Sequence, residues 1–535
     1  MSESIRQVKL IALSEAKQIK GWFREQLLTK LVVLLGFAGL AVLVAGFIWL
    51  WSWGYMSNLA QYENYGELTA LYLIKAGLLV IAWLGLGSAV TSNLTRMANK
   101  NPEMEYLLVL PVKKGVLAFW GMVKTVTMNW VLVMVGLLPL MLAYFMAFDW
   151  GVNAALIGRV LLVGLVMAMM VTAVGSAIVY ATGRWWVRVR GGVGVIGVLG
   201  FFGVSTWLIL KVIFPEQLKT LYSSEIEQFM NIYTALPLLS EWWPSSWMAA
   251  MVFEFARNWW VLIVSVLMMV IAWLVEKETM RSLWQLSQER EDREKRYGFN
   301  LLKNGGLVKK DVIGVLRTPT EWGYGVLLMG MAVAFFVLLG QATKGSYWSR
   351  KFEVEIMVAA LGWLLFFVTA FGLRVVFPLM AREGKVSWWL MSLGIGREKI
   401  VGDKLRAALV LGLPLVVISI LVWLIMPFET ARLLWMLVFT VVIVVTLVLL
   451  LDLWGMIAPL FKLADQPDKV STSVSGLAAL GVSLLIIGWS VFRANQVIKS
   501  DNLDYQAVLL AAVLGMLVVG VSYLLAIMKV RKYEL

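Results

Sequence analysis

The sequence predicts an all-α polytopic membrane protein with twelve transmembrane helices, arranged as two six-helix halves, each preceded by an interfacial amphipathic helix. Three observations carry that expectation. Hydrophobic residues make up 61% of the 535 positions and charged residues 15%, against roughly 45–50% and about 25% in an ordinary soluble domain. Apolar runs near the ~20 residues needed to cross a bilayer recur along nearly all of the chain, and its mean hydropathy is +0.82. Basic residues are sided: most of the 47 Lys and Arg fall in connections that an alternating topology places in the cytoplasm.

In residues 1 to 27, Ile5, Val8, Leu10, Ile11, Leu13, Ile19 and Trp22 interleave with Arg6, Lys9, Lys17, Lys20 and Arg24. At near-helical spacing this is a basic amphipathic helix for the membrane interface. No small-residue cleavage site follows a short apolar core, so it does not read as a secretory signal. Six spans follow at about residues 28–53, 70–93, 119–147, 154–181, 191–213 and 258–275. The connection from Tyr55 to Glu67 lacks Lys and Arg and is placed outside; those holding Arg96, Lys100, Lys113 and Lys114, then Arg184, Arg188 and Arg190, are placed inside. Between the fifth and sixth spans, Pro215, Pro237, Trp242, Trp243, Pro244 and Trp247 suit interfacial elements at headgroup depth.

The run QEREDREKR at 288–296 marks a charged cytoplasmic linker. Residues 1–275 are thus expected to form the first half, 276–303 the linker and 304–535 the second half. LVKKDVIGVLRTP at 307–319 repeats the basic amphipathic entry, and six spans follow at about 323–342, 356–381, 405–426, 432–455, 473–493 and 506–528. Lys529, Arg531 and Lys532 close the chain on the cytoplasmic side. Two sets with an even number of spans make parallel repeats. The localisation expected is a bacterial inner membrane with both termini cytoplasmic.

Without Cys or His the chain lacks thiolate nucleophiles, disulfides, the usual Cys/His zinc sites and His acid–base chemistry. The net charge of +14 reads as a topology signal suited to anionic lipid; no nucleic-acid motif accompanies it, so membrane lipid is an expected partner and nucleic acid is not.

Two cytoplasmic segments hold most of the functional information. EMEYLLVLPVKK at 103–114 follows the second span of its set, and EGKVSWWLMSLGIGREK at 383–399 follows the second span of the later set. Each has an acidic start (Glu103 and Glu105; Glu383), an aromatic and apolar middle, a breaker (Pro111; Gly394) and a basic end. Tyr106, Leu107, Leu108 and Leu110 align with Trp389, Leu390, Met391 and Leu393, then Val112 and Lys114 with Ile395 and Arg397. This suits a short helix along the membrane surface, with an apolar ridge that needs a partner.

On these residues the chain resembles a permease of the ABC-2 type exporter class, whose coupling helix reads Glu-Gly, Leu-Leu, Leu-Pro-Val, then basic residues and a Lys opening the next span. Glu383, Gly384, Leu393, Ile395, Arg397 and Lys404 fit in the second half, and Leu107, Leu108, Leu110, Pro111, Val112, Lys113 and Lys114 in the first, with Lys124 loosely matching Lys404. The second half has Gly394 in place of the proline, and the first lacks the Glu-Gly pair. The resemblance implies a fused permease docking two ABC ATPase subunits through Glu103, Glu105, Leu107, Leu108, Pro111, Lys113 and Lys114 and through Glu383, Gly384, Trp389, Leu390, Arg397 and Lys404. No GxxxxGK[ST] loop occurs, so the chain is expected to be a transport subunit without enzymatic activity or cofactor, ATP and Mg being held by the partner.

Lys75, Lys124, Arg159, Arg374 and Asp452 fall inside spans. All lie towards span ends, where anchoring, snorkelling or helix pairing is the expected use. An ion-coupled secondary carrier is the alternative function, and it wants midplane ionisable sites; neither a His nor a deep carboxylate pair is available to it. Glu225, Glu227 and Glu241 outside form no catalytic arrangement.

Overall fold

A bilayer core has no water for backbone N–H and C=O groups, so each span closes its own hydrogen bonds as a helix. The computed structural model describes residues 27–98, 113–188, 236–296, 306–317, 350–386, 396–426, 428–461, 473–500 and 505–530, with Gln7 and scattered positions in 204–213, 330–337 and 470–471. Its described residues are helical with no strand, and nine helices among them are long and apolar enough to cross a membrane. The chain divides into two units, Met1–Arg190 with Lys211–Gly298, and Gly191–Leu210 with Phe299–Leu535.

In the first unit α1 (Leu27–Leu59) passes through a 3-10 turn into α2 (Glu63–Ala98), followed by α3 (Lys114–Ala147) and α4 (Ala154–Arg188). The turn between α3 and α4 takes Asp149 and Gly151 to φ 53° and 60°, and the Asn153 side chain caps α4 by accepting from the Leu156 N–H at 2.8 Å. A short helix, α5 (Pro244–Phe253), begins on a proline and packs against α2 and α4. This lies in the Trp/Pro-rich stretch expected at headgroup depth. Then α6 (Trp260–Arg296) runs unbroken out of its apolar part into the charged 288–296 run. The core gathers Ile74, Leu78, Val133, Leu137, Met141, Val163 and Met167. On α6, Leu262, Ile263, Val266, Leu267, Val270 and Ile271 stay exposed, a surface that lipid tails cover at no hydrophobic cost.

The second unit begins with α7 (Gly306–Arg317) and α8 (Arg350–Val375), whose end breaks into 3-10 turns at Phe377–Leu379 and Ala381–Val386. After these come α9 (Arg397–Ile425), α10 (Thr430–Ile457), α11 (Val474–Lys499) and α12 (Tyr505–Val530). Helix α10 is central, touching α8, α9, α11 and α12. Trp423 and Trp435 are wholly buried; the Trp423 indole donates to the Thr440 hydroxyl at 2.9 Å, and Trp435 stacks on Phe439 at 4.9 Å between ring centroids. A glycine lets α10 meet the turn after α8: a Cβ on Gly455 would stand 2.1 Å from the Phe377 carbonyl oxygen. Pairings recur between the units. The last long helix lies on the fourth span in each (α6 on α4, α12 on α10), as do the second and third spans (α2 and α3 on α4, α8 and α9 on α10).

Candidate functional site

The best-defined polar site lies in the second unit, where α7 meets α8 and α9. Leu307, Asp311 and Val315 recur every four residues on the buried face of α7, while Lys309 is exposed. A helix repeating every 3.6 residues puts all three on one stripe, so an acidic side chain is carried inward between two aliphatic ones. The stripe packs on α9, and there Asp311 meets Lys404, whose side chain is fully buried. Lys404 Nζ lies 2.9 Å from the Asp311 carboxylate and 2.5 Å from Glu383, and donates to the Leu379 carbonyl at 3.3 Å. These contacts use all three ammonium protons. Lys310, half-exposed beside Asp311, bonds the other Glu383 oxygen at 2.5 Å. Burial pushes the Asp311 carboxyl up from its ordinary value, with Lys404 pulling the other way. Removing one partner of a buried network like this leaves an uncompensated charge.

Glu383 opens the segment at 383–399, in the 3-10 turn after α8, and Lys404 follows it in the first turns of α9. Both are therefore side chains that tie the ends of the segment to α7. Neither stands on an open face, as Glu383 is 6% exposed and Lys404 0%. Gly384 sits in the same 3-10 turn as Glu383, and Arg397 opens α9 half-buried. Trp389 and Leu390 lie outside the described residues.

In the first unit Glu103, Glu105, Leu107, Leu108 and Pro111 lie outside the described residues, while Lys113 and Lys114 are exposed at the start of α3. The Lys113 backbone N–H donates to the Gln7 side chain at 3.2 Å. A residue of the N-terminal stretch thus contacts the end of the segment at 103–114, as α7 contacts the segment at 383–399, with a neutral bond in place of an ionic network.

The helices of the first unit are linked by polar side-chain pairs, two of them between uncharged groups. Asn93 of α2 donates to Ser176 of α4 at 3.0 Å, Asn129 of α3 to Thr172 of α4 at 2.9 Å, and Tyr180 of α4 to Glu276 of α6 at 3.3 Å. Thr172, Ser176 and Tyr180 fall at four-residue intervals, so one face of α4 presents a polar seam to three neighbours. Hydrogen bonds of this kind between spans stabilise by about 0.6 kcal/mol on average.

Of the charges expected to anchor or pair at span ends, Lys75, Lys124, Arg159 and Arg374 are partly exposed. Asp452 departs from that expectation. It is 1% exposed on α10, and neither carboxylate oxygen has a hydrogen-bond partner among the described residues. The physical reason is the central place of α10, which neighbouring helices cover even near its end. Sequence reasoning also missed Lys310 and Asp311; the available signal was an acidic residue interrupting the apolar stripe of an otherwise basic helix. Among the described residues no group of three or more His, Cys, Asp or Glu is placed to hold a metal.

A family model described as a membrane protein of 12 TMs matches residues 56–529. Neither a curated protein nor a solved structure matches the chain. The match spans most of the 535 residues and agrees with the twelve spans read from hydropathy, so the chain belongs to this family of twelve-span integral membrane proteins.

Proposed function

We propose that this chain is the transmembrane permease subunit of an ATP-binding-cassette exporter of the ABC-2 type, carrying an apolar or amphipathic substrate. Two ATPase subunits on separate chains dock on the segments near 103–114 and 383–399 and supply ATP and Mg, while this chain does no chemistry of its own. It sits in a bacterial inner membrane with both termini cytoplasmic. The observation that carries the reading is the anchoring of these segments: Glu383 and Lys404, on either side of the second, are tied to α7, and Lys113, at the end of the first, to Gln7. A segment fixed at its ends passes a push into the spans that continue from it, α8 and α9, instead of absorbing it by local bending. The missing phosphate-binding loop supports an external motor.

The test is co-purification with a candidate ATPase, followed by replacement of Leu107, Leu108, Leu390 and Met391 with charged residues. Loss of the complex, with the permease still folded, is expected; an intact complex would refute the docking assignment. An ion-coupled carrier is the second reading, favoured by one observation, the buried Asp452, whose carboxylate has no hydrogen-bond partner among the described residues. Vesicle transport that needs an ion gradient and no ATP would establish the carrier instead.

A further inference from the structure

The second unit holds a charge that its neighbours leave unbalanced. Around Lys404 lie three carboxylates, Asp311, Glu383 and Asp452, and a second cation, Lys310, pairs with Glu383. Lys310 and Lys404 pair with Asp311 and Glu383. Asp452 remains within electrostatic reach of Lys404 and Asp311, but the three Lys404 protons are already taken by Asp311, Glu383 and the Leu379 carbonyl. Of the other charges nearby, Arg374 on α8, Arg382 in the turn after it, Asp403 and Arg406 on α9, and those on α11 and α12 are not among the charges acting on Asp452 in the described residues. An ionised carboxylate, 1% exposed and with neither oxygen hydrogen-bonded among the described residues, is among the costliest groups to bury.

We propose that Asp452 is an exchange site for a single positive charge, filled by a proton or by an alkali cation, and that filling it brings the five side chains Lys310, Asp311, Glu383, Lys404 and Asp452 to zero net charge. One carboxylate balances one positive charge, which suits a monovalent occupant. With the site filled, two cations face two anions and α10 packs without excess charge. With it empty, the cluster carries one uncompensated negative charge, and the packing of α10 on α9 and of α9 on α7 weakens. The site therefore couples ion occupancy to the same Lys404–Glu383 pair that anchors the second cytoplasmic segment. It does so whether the transporter is driven by ATP or by a gradient.

The test uses the full chain in lipid nanodiscs, without any ATPase, so its outcome does not depend on the permease assignment. Thermal unfolding is followed from acid to alkaline pH in a buffer free of alkali ions, and again with added NaCl, KCl or the chloride of a large organic cation. If a proton fills the site, the wild-type midpoint falls as pH rises, because deprotonation leaves the buried charge. One proton corresponds to about a tenfold change in the unfolding constant per pH unit at most, and Asp452→Asn loses that share of the slope. The difference infrared spectrum between wild type and Asp452→Asn then contains the carbonyl band of an un-ionised carboxyl. If an alkali ion fills it, NaCl or KCl raises the wild-type midpoint at alkaline pH where the organic salt does not, and Asp452→Asn abolishes the rise. Asp452→Glu, which keeps the acid, retains whichever dependence the wild type has. Equal pH and salt responses in wild type and Asp452→Asn, with no carboxyl band in the difference spectrum, would overturn the proposal.

Discussion

Lys404 concentrates the energetics of the second unit in one side chain. Its ammonium is fully buried and holds Asp311, Glu383 and the Leu379 carbonyl together. Lys404→Met leaves two carboxylates inside without a buried cation, a loss of about 3–5 kcal/mol on the general scale for broken buried pairs, to be read as a fall in the chemical- or thermal-unfolding midpoint in nanodiscs. Adding Asp311→Asn and Glu383→Gln to Lys404→Met is expected to recover much of that loss; no recovery would mean that the network is not the source. Gly455 is a second sensitive position. A methyl group there meets the Phe377 backbone oxygen, which cannot rotate away as a side chain tip would. Gly455→Ala should cost about 1–3 kcal/mol by overpacking, measured in the same unfolding assay.

At the scale of elements, α7 and α10 behave differently despite belonging to one unit. Helix α7 is short, and its hold on the unit rests on the Leu307–Asp311–Val315 stripe. Leu307→Asp is expected to free α7 from α9, seen as faster hydrogen exchange across 306–317 with the spans still protected; unchanged protection would show that the stripe does not hold it. Helix α10 is buried among four neighbours, so its defects are global. On α9, Trp423→Ala removes a wholly buried indole that bonds Thr440 of α10 and should cost about 3–5 kcal/mol. Thr440→Val keeps the shape but strands the indole N–H, at about 1–3 kcal/mol. Similar values for the two variants would argue that the hydrogen bond, not packing, dominates at this site.

Across the whole molecule, the twelve-span reading makes a topological prediction that the natural lack of cysteine renders clean. Single replacements Lys113→Cys and Lys309→Cys, at exposed positions, should react with an impermeant maleimide only when the cytoplasmic side is open. Trp242→Cys, at a position 87% exposed, should react from the opposite side. The same side for all three would invalidate the alternation. Repetition is also visible at this scale, since the fourth span is the packing centre of each unit. The two centres differ in character: α4 presents the uncharged seam of Thr172, Ser176 and Tyr180, while α10 carries Asp452.

The sequence by itself determined the helical class, the membrane and the twelve-span pattern, because hydropathy and helical period are local properties that survive without neighbours. It also singled out Glu383, Gly384 and Lys404 through a motif. What those residues do together was not legible, since Lys310, Asp311, Glu383, Lys404 and Asp452 are spread over more than a hundred positions and no local pattern states that four elements meet. Asp452 looked like a charge near a span end, suited to anchoring or helix pairing. Only the tertiary structure decided otherwise: packing around α10 closes off solvent, Lys404 has no proton left to offer, and burial without a partner turns an ordinary aspartate into the unbalanced charge of the unit.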